Sequence, residues 1–211
     1  MQKYEVGKQK SGRSSNPIYR MAIQAIDVSQ MKPGLSVLDV GGGKGELTKR
    51  IWRKKDENIL IDANPPGALE GAKTKKCDLN NEWPIENSEI DVLFALEVIE
   101  HVENPRLFMR EVKRVLKNEG VAFMSTPNNE SLFSRLNFFL KGEHRYFQES
   151  NYPAHINPIL TSEMDRICRE VNLLVEDVCY SGVDVIPKIG KKVKIGGKWF
   201  SKNVGFVVRP Y

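Results

Sequence analysis

The stretch at 37–47, VLDVGGGKGEL, constrains the fold of this chain more than any other. Its apolar start predicts a short strand that is covered on both faces, as the strands of a parallel sheet are. Leu47 and Ile51 follow four residues apart, the spacing that places two side chains on one face of a helix. The glycines between these elements let the backbone turn sharply and pass close to a ligand. The sequence therefore predicts a strand-loop-helix unit with a ligand crevice at the carboxyl end of a parallel sheet.

The spacing of the glycines excludes two common nucleotide-binding loops. In the dinucleotide pattern G-x-G-x-x-G, the third glycine position counted from Gly41 holds Glu46. In a P-loop the lysine precedes Ser or Thr, whereas Lys44 precedes Gly45. The spacing D-x-G-x-G-x-G, which begins at Asp39, resembles the first motif of the class I S-adenosylmethionine-dependent methyltransferases. A tight strand-to-helix turn without a ligand is the alternative interpretation of this motif alone.

Two further carboxylates follow predicted strands and strengthen this resemblance. Asp62 ends the apolar run NILI and lies near the offset of about 20 residues at which such folds place an acid on a ribose hydroxyl. Asp78 follows the next short strand. The resemblance implies that Asp39 and the glycines hold the methionine end of S-adenosylmethionine, Asp62 its ribose and Asp78 its adenine. The cofactor-binding residues that it implies are Asp39, Gly41, Gly43, Gly45, Asp62, Asp78, Leu79 and Leu96.

The segment at 90–105, IDVLFALEVIEHVENP, extends the resemblance along the chain. It matches the family pattern FDVVxxxEVIEHVxNP, and the blocks stay in register from about residue 20 onwards, as in small stand-alone methyltransferase domains. The resemblance implies an α/β, Rossmann-like fold with a seven-stranded, mainly parallel sheet, an antiparallel strand seven and helices on both faces. One departure is visible, because prolines and glycines at 65–71 predict a loop where the family has a helix between strands two and three.

The chain is expected to form a single domain with three distinctive segments. Residues 1–16 are polar and predict a mobile N-terminal tail, while 17–211 predict one methyltransferase domain. The segment at about 129–160 predicts a lid over the crevice, because loops longer than roughly 12 residues are usually functional or disordered. A helix from about 131 to 140 within it has an apolar face. The aromatic residues expected to wall the crevice are Phe138, Phe139, Tyr146, Phe147 and Tyr152.

A basic insert at about 187–203 interleaves lysines with apolar and aromatic residues. A solvated hairpin is one interpretation of this pattern. The other is contact with an anionic partner, either a nucleic-acid phosphate or an acidic membrane surface. If the substrate is anionic, we expect Lys191, Lys192 and Lys194 to lie beside the mouth of the crevice.

Acidic and histidine residues after the predicted fourth strand and before the lid helix are the candidates for chemistry. Glu97, His101 and His155 are the candidate catalytic residues, because an acceptor hydroxyl must lose its proton near the transferred methyl group. Three interpretations stay open, namely a local structural role, a general base and a divalent metal site. Glu97, Glu100 and His101 would share one face if this turn is helical. The E-x-x-E-H block and a later histidine resemble the small-RNA 3′-terminal 2′-O-methyltransferases, which implies a metal site of Glu97, Glu100, His101 and His155.

These carboxylates and imidazoles suit magnesium or manganese, and they suit zinc or iron as well. Ubiquinone-biosynthesis O-methyltransferases also share the EVIEH string, so the motif leaves the substrate open. The metal expected from the resemblance is Mg or Mn.

Composition limits the other classes of function. The 211 residues carry 32 Lys and Arg against 27 Asp and Glu, a formal net charge of +5 that permits an anionic partner without requiring one. No apolar run approaches the roughly 18 residues that a membrane helix needs, and the polar start lacks the apolar core of a signal peptide. We expect a cytoplasmic protein, with peripheral contact to the inner face of an anionic membrane left open.

These features predict methyl transfer from S-adenosylmethionine, with O-methylation of a sugar, a glycolipid or a small hydroxylated metabolite as the expected reaction. The sugar expectation comes only from the resemblance of the lid string, TPN followed by HINP, to methyltransferases found among cell-envelope sugar enzymes. Two alternatives stay open, a metal-dependent RNA 3′-terminal 2′-O-methyltransferase and a non-catalytic cofactor-binding protein. A small-molecule or glycan acceptor is the expected partner, a nucleic acid is not favoured, and the oligomeric state is not predicted.

Overall fold

A computed structural model of the chain describes residues 14–183 and 196–211. Within these ranges the backbone forms one seven-stranded sheet with helices on both faces. The strands are β1 (Ser36–Val40), β2 (Glu57–Asp62), β3 (Ala72–Lys76), β4 (Ile90–Leu96), β5 (Leu116–Pro127), β6 (Leu173–Val183) and β7 (Ser201–Pro210). The α-helices are α1 (Asn16–Ala25), α2 (Glu46–Ile51), α3 (Pro105–Val115), α4 (Leu132–Lys141) and α5 (Thr161–Glu170). Single 3₁₀ turns are formed by Val28–Gln30, Ile99–His101 and Glu149–Asn151.

The order of the strands reverses between β1 and β4. Across the sheet the order is β3-β2-β1-β4-β5-β7-β6, and β1 pairs in parallel with both β2 and β4. β7 runs antiparallel to both of its neighbours, β5 and β6. The fold class implied by the resemblance is therefore confirmed. A reversal of this kind opens a crevice outside the carboxyl ends of the two strands, here those of β1 and β4.

The central strands are nearly all apolar because helices cover both faces of the sheet. On one face, Val37 of β1 belongs to a buried cluster with residues of α1 and α2. On the other face, Leu38 and Val40 belong to a second cluster with residues of α3 and α5. α3 begins where the Asn104 side chain accepts hydrogen bonds from two backbone N–H groups of the first turn, which fixes the point where the chain leaves the sheet.

The connection between β2 and β3 has the predicted form, and α3 passes into β5 without a loop. Residues 63–71 contain no helix, which confirms the loop predicted there between β2 and β3. α3 ends at Val115, and β5 begins at the next residue, Leu116. Leu116 already pairs with Ile90 of β4, and the ladder shifts register before it continues from Val92. The strand pairing therefore takes over as soon as the helix ends.

Parts of the predicted tail and of the basic insert lie outside the described residues. Residues 1–13 of the tail are outside, and the last residue of the predicted tail, Asn16, begins α1. Residues 187–195 of the insert, with Lys191, Lys192 and Lys194, are outside as well, and 196–203 lead into β7. Every helix within the two described ranges is too short or too polar to cross a bilayer.

Candidate active site

The glycine loop after β1 has a backbone that larger residues would not fit. Gly41 and Gly45 have φ values of +64° and +73°, in the left-handed region that favours glycine. A Cβ atom at Gly41 would lie 2.6 Å from Cγ2 of Val98, and one at Gly45 would lie 2.5 Å from Cδ2 of Leu69. The loop therefore packs closely against the β2–β3 connection and against the segment that follows β4. The crevice predicted from the sequence lies where these three segments meet.

Two of the predicted cofactor acids hold this loop in shape. The Asp62 carboxylate, at the end of β2, accepts a hydrogen bond from the Gly43 N–H at 2.9 Å. The Asp39 carboxylate is buried and accepts one from the Thr48 hydroxyl at 2.7 Å. Burial raises the pKa of Asp39 to about 6, against the opposing effect of the Thr48 hydrogen bonds, and the nearby Asp62 charge raises it further. Asp39 thus ties the glycine loop to the first turns of α2.

The remaining predicted cofactor residues lie at the ends of the neighbouring strands. Asp78 is exposed just after β3, and its carboxylate accepts bonds from the backbone and side-chain N–H groups of Asn80, both at 3.0 Å. Leu79 is half-buried against the core, and Leu96 is the buried last residue of β4. Each of these residues lies at the end of a strand or shortly after it. Their roles toward the cofactor stay predictions.

The segment after β4 does not form the helical turn on which the four-ligand metal hypothesis depended. Glu97 has a φ of +55°, and the following 3₁₀ turn includes only Ile99–His101. The premise that Glu97, Glu100 and His101 share one helical face is therefore wrong. Glu97 instead accepts a hydrogen bond from the side-chain amide of Asn203 on β7 at 2.9 Å. Burial raises the pKa of Glu97, while its hydrogen bonds and the His101 charge lower it.

Three of the four predicted metal ligands do come together. Glu100, His101 and His155 each offer one ligand atom, and these atoms lie within 4.8 Å of one another. The backbone brings them together, because the N–H groups of Ile156 and Asn157 both donate to the Glu100 carbonyl, at 3.0 and 3.1 Å. This anchors the segment before α5 on the 3₁₀ turn after β4. His155 consequently packs edge-on against His101, with ring centroids 4.9 Å apart.

Several polar atoms of this cluster are buried without a hydrogen-bond partner among the described residues. Glu100 is fully buried, and neither of its carboxylate oxygens has a hydrogen-bond partner among the described residues; the same holds for Nδ1 of His155. Burial, together with the Glu97 charge, raises the pKa of Glu100 to about 8. Burial and the His101 charge lower the pKa of His155. The His101 ring is held by a 2.5 Å contact between its Nδ1 atom and the Ala154 carbonyl oxygen.

A cavity of about 300 Å³ opens beside this cluster. It is bounded by the start of α1, the ends of β4 and β5, the lid and the start of β7. Its lining residues are Ser15, Ile18, Glu97, Pro127, Tyr146, His155, Lys202 and Asn203. Sequence reasoning found Glu97, Tyr146 and His155 but missed Lys202 and Asn203 as site residues. No local motif marks those two, since they reach the site only because β7 pairs with β5.

The predicted lid contributes to the cavity with only part of its aromatic residues. Tyr146 lines the cavity, and Phe147 lies 5.3 Å from the His155 ring between centroids. Phe138, Phe139 and Tyr152 are instead exposed. The expectation that these three would wall the crevice is therefore wrong.

The geometry agrees with what sequence comparison finds. A family model described as a methyltransferase domain matches residues 18–178. The chain belongs to this family. The match covers the glycine loop, the acids at the strand ends and the cluster around Glu100, and it confirms the expected class, the S-adenosylmethionine-dependent methyltransferases.

Curated relatives of this methyltransferase carry the name ubiquinone biosynthesis O-methyltransferase. The mitochondrial protein of Dictyostelium discoideum is 30% identical over 135 residues, which are 54% of this chain and 42% of that protein. The protein of Nitrosospira multiformis is 28% identical over 184 residues, 78% of this chain and 73% of that protein. The chain thus spans about two fifths of the D. discoideum protein.

Solved structures show the same fold at low sequence identity. An S-adenosylmethionine-dependent methyltransferase from Archaeoglobus fulgidus has a TM-score of 0.63 and 16% identity to this methyltransferase. The similarity covers 92% of this chain and 94% of that one. The likeness therefore concerns the whole domain.

Proposed function

We propose that this methyltransferase transfers the methyl group of S-adenosylmethionine to a hydroxyl oxygen of a small acceptor bound in the 300 Å³ cavity. The observation that carries this proposal is the position of the cavity. Its wall includes Glu97, and the next residue, Val98, is in contact range of the glycine loop at Gly41. A cofactor in the loop and an acceptor in the cavity would therefore be neighbours.

The chemistry needs little from the protein besides positioning and a proton acceptor. The acceptor oxygen attacks the sulfonium methyl carbon in line, so that a C–O bond forms while the C–S bond breaks and S-adenosylhomocysteine leaves. The hydroxyl proton must pass to a base near the cavity. Glu97 and His155 line the cavity and His101 touches His155, so these three remain the proposed catalytic residues.

Support for an oxygen acceptor comes from the relatives, which are named O-methyltransferases. Among the expected acceptors, a small hydroxylated metabolite fits a cavity of this size. The sugar and glycolipid acceptors rest only on the lid string. An RNA 3′ end is the alternative acceptor, and a cytoplasmic location is proposed with either.

Radiolabelled S-adenosylmethionine tests the proposed reaction. The label should pass to hydroxylated small molecules from a panel of phenols and glycosides, and the ether product should survive mild acid and base. Transfer to a short RNA instead would favour the alternative acceptor. Calorimetry with S-adenosylhomocysteine separates catalysis from binding: a chain that binds it but methylates no acceptor is a cofactor-binding protein, and one that does not bind it is no methyltransferase.

We also infer that Glu100, His101 and His155 are the residues that would hold a divalent cation. The unpartnered atoms of Glu100 and His155 fit this role, because buried polar atoms otherwise need hydrogen bonds. The contact of Nδ1 of His101 with a backbone carbonyl is the arrangement that orients ligating histidines in metal sites. When bound, such a cation supplies a positive charge that favours an ionised acceptor oxygen.

The donor set narrows the choice of metal. Two imidazoles and one carboxylate favour manganese, iron or zinc over magnesium, which prefers oxygen ligands. Titration calorimetry should therefore show Mn²⁺ or Zn²⁺ binding more tightly than Mg²⁺. Glu100→Gln should abolish this binding, while Glu163→Gln in the first turn of α5 should leave it unchanged. Equal binding by both variants would mean that the cluster holds no metal.

A further inference from the structure

α4 has its apolar side turned toward solvent. Leu132, Leu136, Phe139 and Leu140 recur at helical spacing, and their exposed fractions are 45, 51, 85 and 68%. The single fully buried residue of this helix is a polar one, Ser134. A surface helix of a globular protein ordinarily buries its apolar stripe and exposes its polar side. We call the four exposed residues the outer face of α4.

Polar contacts on the inner side fix this orientation. The Asn137 side chain donates to the Glu143 carbonyl at 2.7 Å and accepts from the Gln148 side chain at 3.3 Å. The Ser134 hydroxyl accepts from the Arg145 N–H at 3.4 Å and contacts Nδ1 of His144 at 3.3 Å. Rotating the outer face inward would break all of these contacts. The exposure of the outer face therefore belongs to the folded arrangement of the lid.

Basic and aromatic side chains border the outer face. The Arg135 guanidinium lies over the Trp199 ring at 5.1 Å, and Trp199 is half exposed. The carbonyl of Trp199 accepts from the Leu132 N–H at 2.9 Å, which holds this ring at the start of α4. Lys198, which precedes the tryptophan, and Lys141, at the end of the helix, add two more cations. The Glu130 carboxylate forms ion pairs with both Arg135 and Lys198.

We propose that the outer face of α4 docks this methyltransferase on the surface of an anionic lipid bilayer. Apolar side chains on one convex helix, with Lys, Arg and Trp at its margin, match the layered chemistry of a membrane interface, in which acyl chains lie below anionic headgroups. The chain's net charge of +5 acts in the same direction as the local cations.

Docking through α4 would place the cavity close to the bilayer. α4 continues directly into the loop that carries Tyr146 and His155, both of which line the cavity. The inner side of the helix is bonded to the same loop through Ser134 and Asn137. The same short segment would therefore contact the lipid on one side and the site of the reaction on the other.

Vesicle sedimentation tests the proposal with the full chain and defined lipids. The protein should bind vesicles of phosphatidylcholine mixed with phosphatidylglycerol more tightly than phosphatidylcholine alone, and more weakly at high salt than at low salt. Phe139→Ser with Leu140→Ser should lower the partition by about tenfold or more, because two side chains lose their apolar transfer. Leu107→Ser, which replaces a leucine that is 43% exposed on α3, should bind like the wild type. Circular dichroism should show that all three proteins are equally folded.

Two results would overturn the proposal. Wild-type protein that stays in the supernatant with anionic vesicles would exclude a lipid partner. The second result is a wild-type dimer in analytical ultracentrifugation that dissociates in the double serine variant, together with no binding to vesicles. It would assign the outer face to a second copy of the chain.

The emission of Trp199 should shift to shorter wavelength on anionic vesicles, and Trp199→Phe should remove most of this shift.

Discussion

The side-chain amide of Asn203 on β7 donates to the Glu97 carboxylate after β4 at 2.9 Å. Asn203 is buried, and its side-chain amide oxygen accepts a hydrogen bond from the Ser181 hydroxyl of β6 at 3.3 Å. The contact from β7 therefore holds the side chain of Glu97 in the wall of the cavity. Glu97 is half-buried, and its backbone has a positive φ. The contact gives Glu97 one orientation before any acceptor binds.

Replacing Asn203 by alanine should destabilise the protein and disorder Glu97. A lost hydrogen bond to a carboxylate that stays half-buried costs about 1–3 kcal/mol of the free energy of unfolding, measured by urea denaturation. Asn16→Ala, at the exposed start of α1, should cost less than about 0.5 kcal/mol. Binding of S-adenosylhomocysteine should not change, since Asn203 lines the cavity proposed for the acceptor. Equal losses in both variants would show that the contact with Glu97 has no energetic value.

Alanine at Gly41 should be far more damaging than alanine at Gly34 or Gly67. The new Cβ would meet Val98 at 2.6 Å on a backbone with φ of +64°, so both contact and backbone strain oppose it. We expect a loss of about 2 kcal/mol or more in stability and weaker binding of S-adenosylhomocysteine.

Two glycines serve as matched controls for Gly41. Gly34→Ala has a positive φ but no atom within 4 Å of the new Cβ, so it isolates the backbone cost of about 1 kcal/mol. Gly67→Ala has open space and no positive φ, and it should be neutral or slightly stabilising. Gly41→Ala behaving like Gly34→Ala would show that the contact with Val98 relaxes freely.

The burial of Asp39 predicts a pH-dependent stability. Its pKa of about 6 lies above the ordinary 3.8, so the folded protein keeps a proton that the unfolded chain releases. This contribution is fully present below about pH 4 and is lost as the pH rises through about 6. Asp39→Asn, which cannot ionise, should gain stability relative to the wild type by up to about 3 kcal/mol between pH 4 and pH 8.

Urea denaturation of the two proteins across this range, without cofactor, measures the difference. Asp165→Asn on the exposed side of α5, where Asp165 pairs with Arg169, should change stability by less than about 0.5 kcal/mol throughout. A constant difference between wild type and Asp39→Asn would show that Asp39 ionises normally inside the protein.

Asp62→Ala should weaken binding of S-adenosylhomocysteine by about tenfold or more. The carboxylate is the predicted acceptor for the ribose, and it also holds the glycine loop through the Gly43 N–H. Titration calorimetry measures the change, with Asp165→Ala as the control. Wild-type affinity in Asp62→Ala would remove Asp62 from the cofactor site.

The sequence alone was sufficient to predict the structure where the residues of a short segment determine the conformation of that segment. The apolar run before Gly41 specifies a covered strand, and the prolines at 65 and 66 exclude a helix, whatever lies around them. The class of enzyme followed from these local motifs. Their strength comes from backbone geometry, which neighbouring residues largely determine.

The sequence was insufficient where tertiary contacts decide. The spacing of Leu136, Phe139 and Leu140 predicted an amphipathic helix but could not say which side faces the protein, because periodicity does not depend on the surroundings. Asn203 joined the site through strand pairing between residues far apart in the chain. Glu97 left the predicted helical face because one residue with positive φ redirects the backbone.

The interior position of β7 has a consequence for how the protein is made. β7 comes after β5 and β6 in the chain but lies between them, bonded to both. Until the ribosome has released β7, β5 has an unpaired edge, and the cavity lacks Lys202 and Asn203. Open strand edges of this kind favour pairing with other chains. Nascent protein should therefore depend most on chaperones in the interval between synthesis of β5 and insertion of β7.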